Sequence, residues 1–157
     1  MSDGDEGRRE VWVVEDDRAL LQGLLTLIRD RGHRARGFSD PRRALKEALA
    51  RPPKVLITDY QMPGLDGVEL AKTLREKLGP KVPRIFLVSG SRMRRVELTQ
   101  FDQVLRKPFR FVDLLAMVER ALEGPRRRRS GQRLRAVDRA DREAFESRSK
   151  RRAASEE

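Results

Sequence analysis

The sequence predicts an α/β fold built on a doubly wound, five-stranded parallel sheet with strand order 2-1-3-4-5. Short, wholly apolar runs such as Val11–Val14 and residues 85–88 are typical of strands buried on both faces of a parallel sheet. Segments with helical apolar spacing follow these runs, so strands and helices alternate along the chain. Because crossovers between parallel strands are right-handed, 2-1-3-4-5 is the expected order.

Each predicted element has its own local signals. Leu20, Leu24 and Ile28 recur at helical spacing in the first helix, which ends at residues 31–32. Asp40 and Pro41 are the cap and first-turn proline of the second helix. In chain order the elements are strand 11–14, helix up to 31–32, strand 34–38, helix 41–51, strand 55–58, helix 68–78, strand 85–88, a brief arginine-rich segment, strand 104–105 and helix 111–122.

Composition excludes several kinds of site. The 157-residue chain has no cysteine, which rules out disulfides, thiolate nucleophiles and zinc–thiolate sites. Its single histidine, His33, cannot build a histidine-rich metal site and is expected to be exposed. No apolar run approaches the roughly 20 residues of a membrane span, and the polar residues 1–9 are interpreted as a flexible leader. We therefore expect a cytoplasmic protein without membrane contact.

The terminal residues 125–157 differ in composition from the predicted domain, residues 10–124. They contain twelve Lys or Arg residues against six Asp or Glu, and large apolar side chains are rare. This basic tail is expected to be disordered or to form a single exposed helix. Weak nucleic-acid contact is possible through four consecutive arginines: Arg126, Arg127, Arg128 and Arg129.

Polar side chains follow four of the five predicted strands, at the edge where parallel strands gather functional residues. They are Glu15, Asp16, Asp59, Ser89 and Lys107. Three carboxylates in one place repel each other unless a cation neutralises them, and an all-oxygen site suits Mg²⁺. The lysine and the serine hydroxyl can meet a phosphoryl group. The pattern therefore indicates phosphoryl transfer to an aspartate.

Four sequence motifs resemble those of response-regulator receiver domains, the CheY-like superfamily of two-component signalling. They are residues 13–17 (VVEDD), 58–67 (TDYQMPGLDG), 88–90 (VSG) and 107–109 (KPF), in family order and spread over residues 10–124. The resemblance implies a flavodoxin-like fold.

The resemblance also implies a role for each motif residue. Asp59 would be the phosphoacceptor, Ser89 the switch hydroxyl and Lys107 the cation that contacts the phosphoryl group. Glu15, Asp16, Asp59 and the backbone carbonyl of Gln61 would bind Mg²⁺. A sensor histidine kinase or a histidine phosphotransfer protein would be the phosphodonor, and a downstream protein the target.

The sequence departs from the family pattern at two places. The family often has Tyr or Phe three residues before the lysine, where this chain has Val104. The stretch between Ser89 and Lys107 is several residues shorter than usual, which predicts a shortened fourth helix on the family's usual output face. We therefore expect intact phosphorylation chemistry with an altered way of passing the signal on.

Three functions are compatible with these features: a receiver switch acting through protein contacts, a nucleic-acid-associated regulator whose tail is the effector, and a phosphatase with an aspartyl-phosphate. The phosphatase is rejected because haloacid-dehalogenase-type enzymes need Asp-x-Asp, and Gln61 stands two residues after Asp59. The chain is therefore expected to have no enzymatic activity beyond slow self-dephosphorylation.

Asp17 is expected to cap the first helix, and Trp12 is expected to pack in the core. Arg94 and Arg95 are interpreted as a solvated helix face, with contact to an acidic partner as the alternative.

Overall fold

The computed structural model describes residues 10–123, in which helices flank both faces of one parallel sheet. The strands are β1 (Val11–Val14), β2 (Ala35–Phe38), β3 (Val55–Asp59), β4 (Arg84–Ser89) and β5 (Gln103–Arg106). The helices are α1 (Arg18–Asp30), α2 (Pro41–Ala50), α3 (Gly67–Leu78), α4 (Arg95–Leu98) and α5 (Phe111–Leu122), with a 3₁₀ turn at Gly79–Lys81. The strand order is β2-β1-β3-β4-β5, which confirms the predicted fold class.

The interior strand β1 contributes to two separate apolar cores because successive side chains of a strand point to opposite faces. Val11 and Val13 pack with α1 and α5 on one face of the sheet. Trp12 and Val14 pack with α2 and α3 on the other. All four side chains are buried, which explains why the strand is a continuous apolar run rather than an alternating one.

Local capping signals define the starts of α1 and α2. The Asp17 side chain accepts hydrogen bonds from the backbone N–H groups of Ala19 and Leu20, as predicted. Asp40 accepts in the same way from the N–H of Arg42, and Pro41 is the first residue of α2. Both aspartates satisfy N–H groups that have no partner inside the helix.

The fourth helix is only four residues long, which confirms the predicted shortening. The short connection is tied to its neighbours by ion pairs and hydrogen bonds. Arg75 of α3 donates to the carbonyl of Gln100 (2.7 Å) and to the carboxylate of Asp102 (3.2 Å). The same carboxylate accepts from the N–H of Ile85 (2.8 Å). Asp102 therefore joins the entry to β5 both to α3 and to the start of β4.

Two further expectations concern single side chains. Trp12 is 3% exposed and its ring lies 4.8 Å from that of Phe38, so the expected packing role is confirmed. The expected exposure of His33 is wrong. His33 is half-buried, and its Nε2 lies 3.4 Å from Oε1 of Glu119, because Glu119 on α5 reaches over the end of α1. Arg31 also donates to that carboxylate, at 3.0 Å.

The predicted leader (residues 1–9) and basic tail (residues 125–157) lie outside the described residues, so the proposed domain boundaries stay predictions. The same holds for the contact assigned to Arg126, Arg127, Arg128 and Arg129. Within residues 10–123, no helix is long and apolar enough to cross a bilayer.

Candidate functional site

The register of the sheet brings the polar strand ends together. Val14 pairs with Thr58, so the residues that follow them, Glu15 and Asp59, leave the sheet side by side. Asp59 in turn pairs with Val88 of β4, next to Ser89. Ser89 pairs with the last residue of β5, and Lys107 comes directly after it. The predicted site residues therefore share one edge of the sheet.

Three carboxylates form an acidic cluster at this edge. Glu15, Asp16 and Asp59 each offer an oxygen, and these oxygens lie within 4.8 Å of one another. Glu15 is buried, Asp59 is half-buried and Asp16 is exposed, so the cluster opens toward solvent on one side. Carboxylate oxygens with an open side fit Mg²⁺, which retains several water ligands.

Lys107 supplies the positive charge in the cluster. Its Nζ lies 3.5 Å from Oε2 of Glu15 and 3.5 Å from Oδ2 of Asp59. The lysine side chain is 31% exposed, whereas that of Glu15 is only 4% exposed. One cation therefore partly neutralises two carboxylates and stays within reach of any group attached to Asp59.

The other oxygen of Asp59 is oriented by the backbone. Oδ1 accepts a hydrogen bond of 2.7 Å from the N–H of Tyr60. The loop that follows turns back onto the strand, where the N–H of Gly67 donates to the carbonyl of Tyr60 at 2.8 Å. A Cβ at position 67 would lie 2.2 Å from the Asp59 carbonyl oxygen, so only glycine fits there.

Burial raises the pKa of Glu15 to about 7. The hydrogen bond from the Asp17 N–H to Oε1 (3.1 Å) opposes the shift, the negative charge of Asp59 adds to it, and Lys107 again opposes it. Near neutral pH and without a bound cation, Glu15 therefore carries a proton in a sizeable part of the molecules.

Ser89 lies at the same edge but its hydroxyl has a different partner. The side chain is buried, and Oγ accepts a hydrogen bond of 3.1 Å from the N–H of Ser91. Its backbone carbonyl accepts from the N–H of Lys107 at 3.0 Å. Among residues 10–123 no hydrogen bond joins Ser89 to Asp59, and the bond from Ser91 uses the serine oxygen only as an acceptor.

Gln61 lies on the open side of the acidic cluster. It lines a cleft of about 560 Å³ together with Asp16, Tyr60, Met62, Pro63 and Asp66. Gln61 and Asp16 thus face the same cleft, which is compatible with the role that the resemblance gives to the Gln61 carbonyl. Asp17 is not part of the cluster, since its carboxylate caps α1.

Val104 occupies the position where the family often has an aromatic ring. It lies half-buried in β5 and packs at the edge of the core formed with α2 and α3. None of the four residues of β5 is aromatic. A ring that swings inward from this strand is therefore absent.

Sequence reasoning missed two contributors to the site, the N–H of Tyr60 and the glycine at position 67. The adjacent Asp66 caps α3 by accepting from the N–H of Glu69 at 2.8 Å. An Asp-Gly pair before an apolar helical pattern is a recognisable helix start, so it could have revealed the tight loop.

Comparison with known proteins gives consistent matches. The family model described as "Response regulator receiver domain" matches residues 11–119. The DNA-binding transcriptional regulator NtrC of Proteus hauseri is 34% identical over 116 residues, which is 71% of this chain and 24% of NtrC. The chain thus spans about a quarter of that relative's length.

Two solved structures share the fold. The Francisella response regulator 1452 receiver domain has a TM-score of 0.67 and 25% identity, over 73% of this chain and 97% of that one. The response regulator TrrA of Thermotoga maritima, solved in complex with Mg²⁺-BeF, has a TM-score of 0.65 and 24% identity, over 72% of this chain and 98% of that one.

Proposed function

Because this chain belongs to the response regulator receiver domain family, we propose that it is a phosphoacceptor switch in which Asp59 takes a phosphoryl group. A histidine kinase or a histidine phosphotransfer protein would be the donor. The observation that carries the proposal is the placement of the Lys107 ammonium 3.5 Å from Asp59, inside a cluster of three carboxylates. That arrangement provides a nucleophilic oxygen and a positive charge for the incoming group.

The donor set fits Mg²⁺. Glu15, Asp16 and Asp59 offer three carboxylate oxygens within 4.8 Å of one another, and the Gln61 carbonyl is the proposed fourth protein ligand. When bound, Mg²⁺ neutralises the carboxylates and the phosphoryl oxygens so that the two can approach. The TrrA complex with Mg²⁺-BeF supports this assignment by fold.

The proposed step is an in-line displacement at phosphorus. An oxygen of Asp59 forms the new P–O bond, the P–N bond of the donor phosphohistidine breaks, and its electron pair stays on the imidazole nitrogen, which takes up a proton. Lys107 pairs with the phosphoryl oxygens. Ser89 leaves its contact with Ser91 and donates its hydroxyl hydrogen to a phosphoryl oxygen. After transfer, the only activity that we expect of the chain itself toward the phosphoryl group is slow self-dephosphorylation.

The consequence of phosphorylation is a change in protein contacts. Reorientation of Ser89 would alter the loop after β4, which leads directly into the four-residue α4. Because β5 carries Val104 where the family often has an aromatic residue, no ring can swing inward from this strand to transmit the change. A downstream protein is the proposed target and the cytoplasm the proposed location. A nucleic-acid role for the basic tail stays a prediction, since residues 125–157 are not described.

The direct test is to incubate the protein with Mg²⁺ and acetyl phosphate and to locate any acid-stable, base-labile adduct by mass. We expect one phosphoryl group on the peptide that contains Asp59, and no adduct when a chelator removes the metal. An adduct on another peptide, or one that forms equally well with the chelator present, would refute the proposal.

A further inference from the structure

Another cavity lies at the opposite edge of the sheet from the phosphoacceptor site. Its volume is about 270 Å³, and the described residues that line it are Glu10, Trp12, Arg36, Glu47, Ala50 and Arg51. Glu10 comes directly before β1 and Arg51 directly after α2, so the cavity is at the amino-terminal edge of the sheet, whereas the acidic cluster is at the carboxyl-terminal edge. We call it the Trp12 cavity.

The size of the Trp12 cavity suits a small metabolite. One molecule of liquid water occupies about 30 Å³, so a cavity of about 270 Å³ is too large for a single ordered water. Pockets for drug-sized ligands and cofactors begin at about 300 Å³, so a nucleotide is too large for it. A molecule of the size of a single amino acid lies between these limits.

The Trp12 side chain, which lines the cavity, has an unsatisfied hydrogen-bond donor. It is 3% exposed, and its Nε1–H is buried without a partner among residues 10–123. The ring packs 4.8 Å from that of Phe38, and the Arg36 guanidinium lies 5.6 Å from its centroid. A buried indole N–H normally has a partner, so an occupant that brings an acceptor would offset a desolvation cost here.

The charged side chains around the cavity favour a ligand that carries both signs. Arg36 and Glu47 already form an ion pair, with Nη2 2.6 Å from Oε2. No ion pair among residues 10–123 involves the Glu10 carboxylate or the Arg51 guanidinium. A simple anion would be repelled by the two carboxylates, and a simple cation by the two guanidinium groups. A zwitterion instead offers one partner to Glu10 and one to Arg51.

The other lining residues indicate the side chain of the ligand. Trp12 and Ala50 provide apolar surface, and among the described lining residues there is no amide or hydroxyl side chain. We infer that the Trp12 cavity binds a free α-amino acid with an apolar side chain. The ligand ammonium would contact Glu10, and its carboxylate would accept from Arg51. The carboxylate would also accept from the Trp12 Nε1–H once Arg36, whose side chain is 41% exposed, has shifted.

The inference is independent of the proposed phosphoacceptor function, because the two sites share no residue. Trp12 is the single tryptophan of the chain, so its fluorescence reports on the cavity directly. The full chain is titrated with L-leucine, with leucinamide, which lacks the carboxylate, and with N-acetyl-leucine, which lacks the ammonium. Titration calorimetry on the same samples detects binding that leaves the fluorescence unchanged.

Leucine should change the Trp12 fluorescence saturably in the millimolar range. Each derivative should bind at least about tenfold more weakly, because one charge of the cavity stays unpaired. Glu10→Gln and Arg51→Gln should each weaken leucine binding about fivefold, as expected for partly exposed ion pairs. The matched controls Glu76→Gln and Arg120→Gln remove the same charges from exposed positions elsewhere and should leave the affinity unchanged.

Trp12→Phe keeps a ring in the core but removes the N–H donor, and calorimetry should show weaker leucine binding. Full affinity in Trp12→Phe would overturn the inference, as would a leucine titration with neither a fluorescence change nor heat. Equal binding of leucine and its two derivatives would mean that the ligand charges are not recognised. An equal loss in the control variants and in Glu10→Gln and Arg51→Gln would mean that only net charge matters. Either result would also overturn it.

Discussion

The Nζ of Lys107 lies 3.5 Å from Oδ2 of Asp59 and at the same distance from Oε2 of Glu15. One ammonium thus serves two carboxylates that also belong to the proposed metal site. In the proposed function the lysine and the metal would be attracted to the same oxygens but would have different tasks. The metal would bring phosphate and carboxylates together, whereas the lysine would hold the phosphoryl group on Asp59.

Lys107→Ala is expected to slow adduct formation at least about tenfold at saturating Mg²⁺, because the charge that meets the phosphoryl oxygens is lost. Mg²⁺ affinity should not decrease, since a competing cation has been removed. Mass spectrometry with acetyl phosphate measures the first effect and calorimetric titration the second. Arg106→Ala, which removes the neighbouring exposed cation, is the control and should leave both unchanged. A weaker metal site in Lys107→Ala would contradict this division of tasks.

Asp16 and Asp17 are adjacent but are expected to differ in function. Asp16→Asn should weaken Mg²⁺ binding at least about tenfold, since it removes one carboxylate from the cluster. Asp17→Ala should leave Mg²⁺ affinity unchanged and lower the free energy of unfolding by about 1 kcal/mol, because the cap of α1 is lost. Calorimetric titration and denaturant unfolding measure the two effects.

The opposite result would refute the assignment of Asp16 as a metal ligand and Asp17 as a helix cap. If Asp17→Ala loses the metal while Asp16→Asn retains it, the acidic pair is misplaced by one residue.

The pH dependence of the free energy of unfolding should reflect the titration of the Glu15 carboxyl group. Its pKa of about 7 in the folded protein exceeds the ordinary value of 4.5, so folding is linked to proton uptake. The stabilising effect of this proton is complete below pH of about 4.5 and is lost as the pH rises through about 7. Without metal, Glu15→Gln should therefore lose less stability over this range than the unmodified chain. Denaturant unfolding in a chelator-containing buffer measures both curves, and parallel curves would contradict the prediction.

Removal of residues 126–157 is expected to leave the thermal midpoint and phosphorylation unchanged. The apolar cores lie within residues 10–123, and the last turn of α5 is already held by the Lys54 ammonium, which donates to the carbonyl of Leu122 at 2.6 Å. Differential scanning calorimetry of a chain ending at Pro125 provides the measurement. A drop of more than a few degrees would instead indicate that the tail docks on the domain through Leu134, Val137 or Phe145.

Much of the fold could be predicted because its signals are local. The apolar run of β1 and the caps Asp17 and Asp40 depend on neighbours in sequence, and each appears where expected. The environment of His33 depends on Glu119, far away in sequence, and no local pattern reveals that contact. The bond from Arg75 to Asp102, which secures the short α4 connection, is equally non-local.

The candidate site likewise combines features that the sequence predicts with contacts that it does not reveal. Strand ends and parallel pairing were enough to predict that Glu15, Asp59 and Lys107 converge. The hydrogen bond from the Tyr60 N–H to Asp59 and that from the Ser91 N–H to Ser89 could not be predicted. Both come from backbone groups, whose directions depend on the loop conformation and not on the residue type.

The most direct test of the account compares Asp59→Asn with Asp66→Asn in the Mg²⁺ and acetyl phosphate reaction. Both replace a half-buried aspartate by its amide. Asp66 lines the cleft that Asp16 of the acidic cluster also lines, and asparagine at position 66 can still cap α3. Circular dichroism should show both variants folded. We predict that Asp59→Asn forms no adduct while Asp66→Asn is modified at close to the unmodified chain's rate. Modification of Asp59→Asn at the rate of the unmodified chain would contradict the central claim.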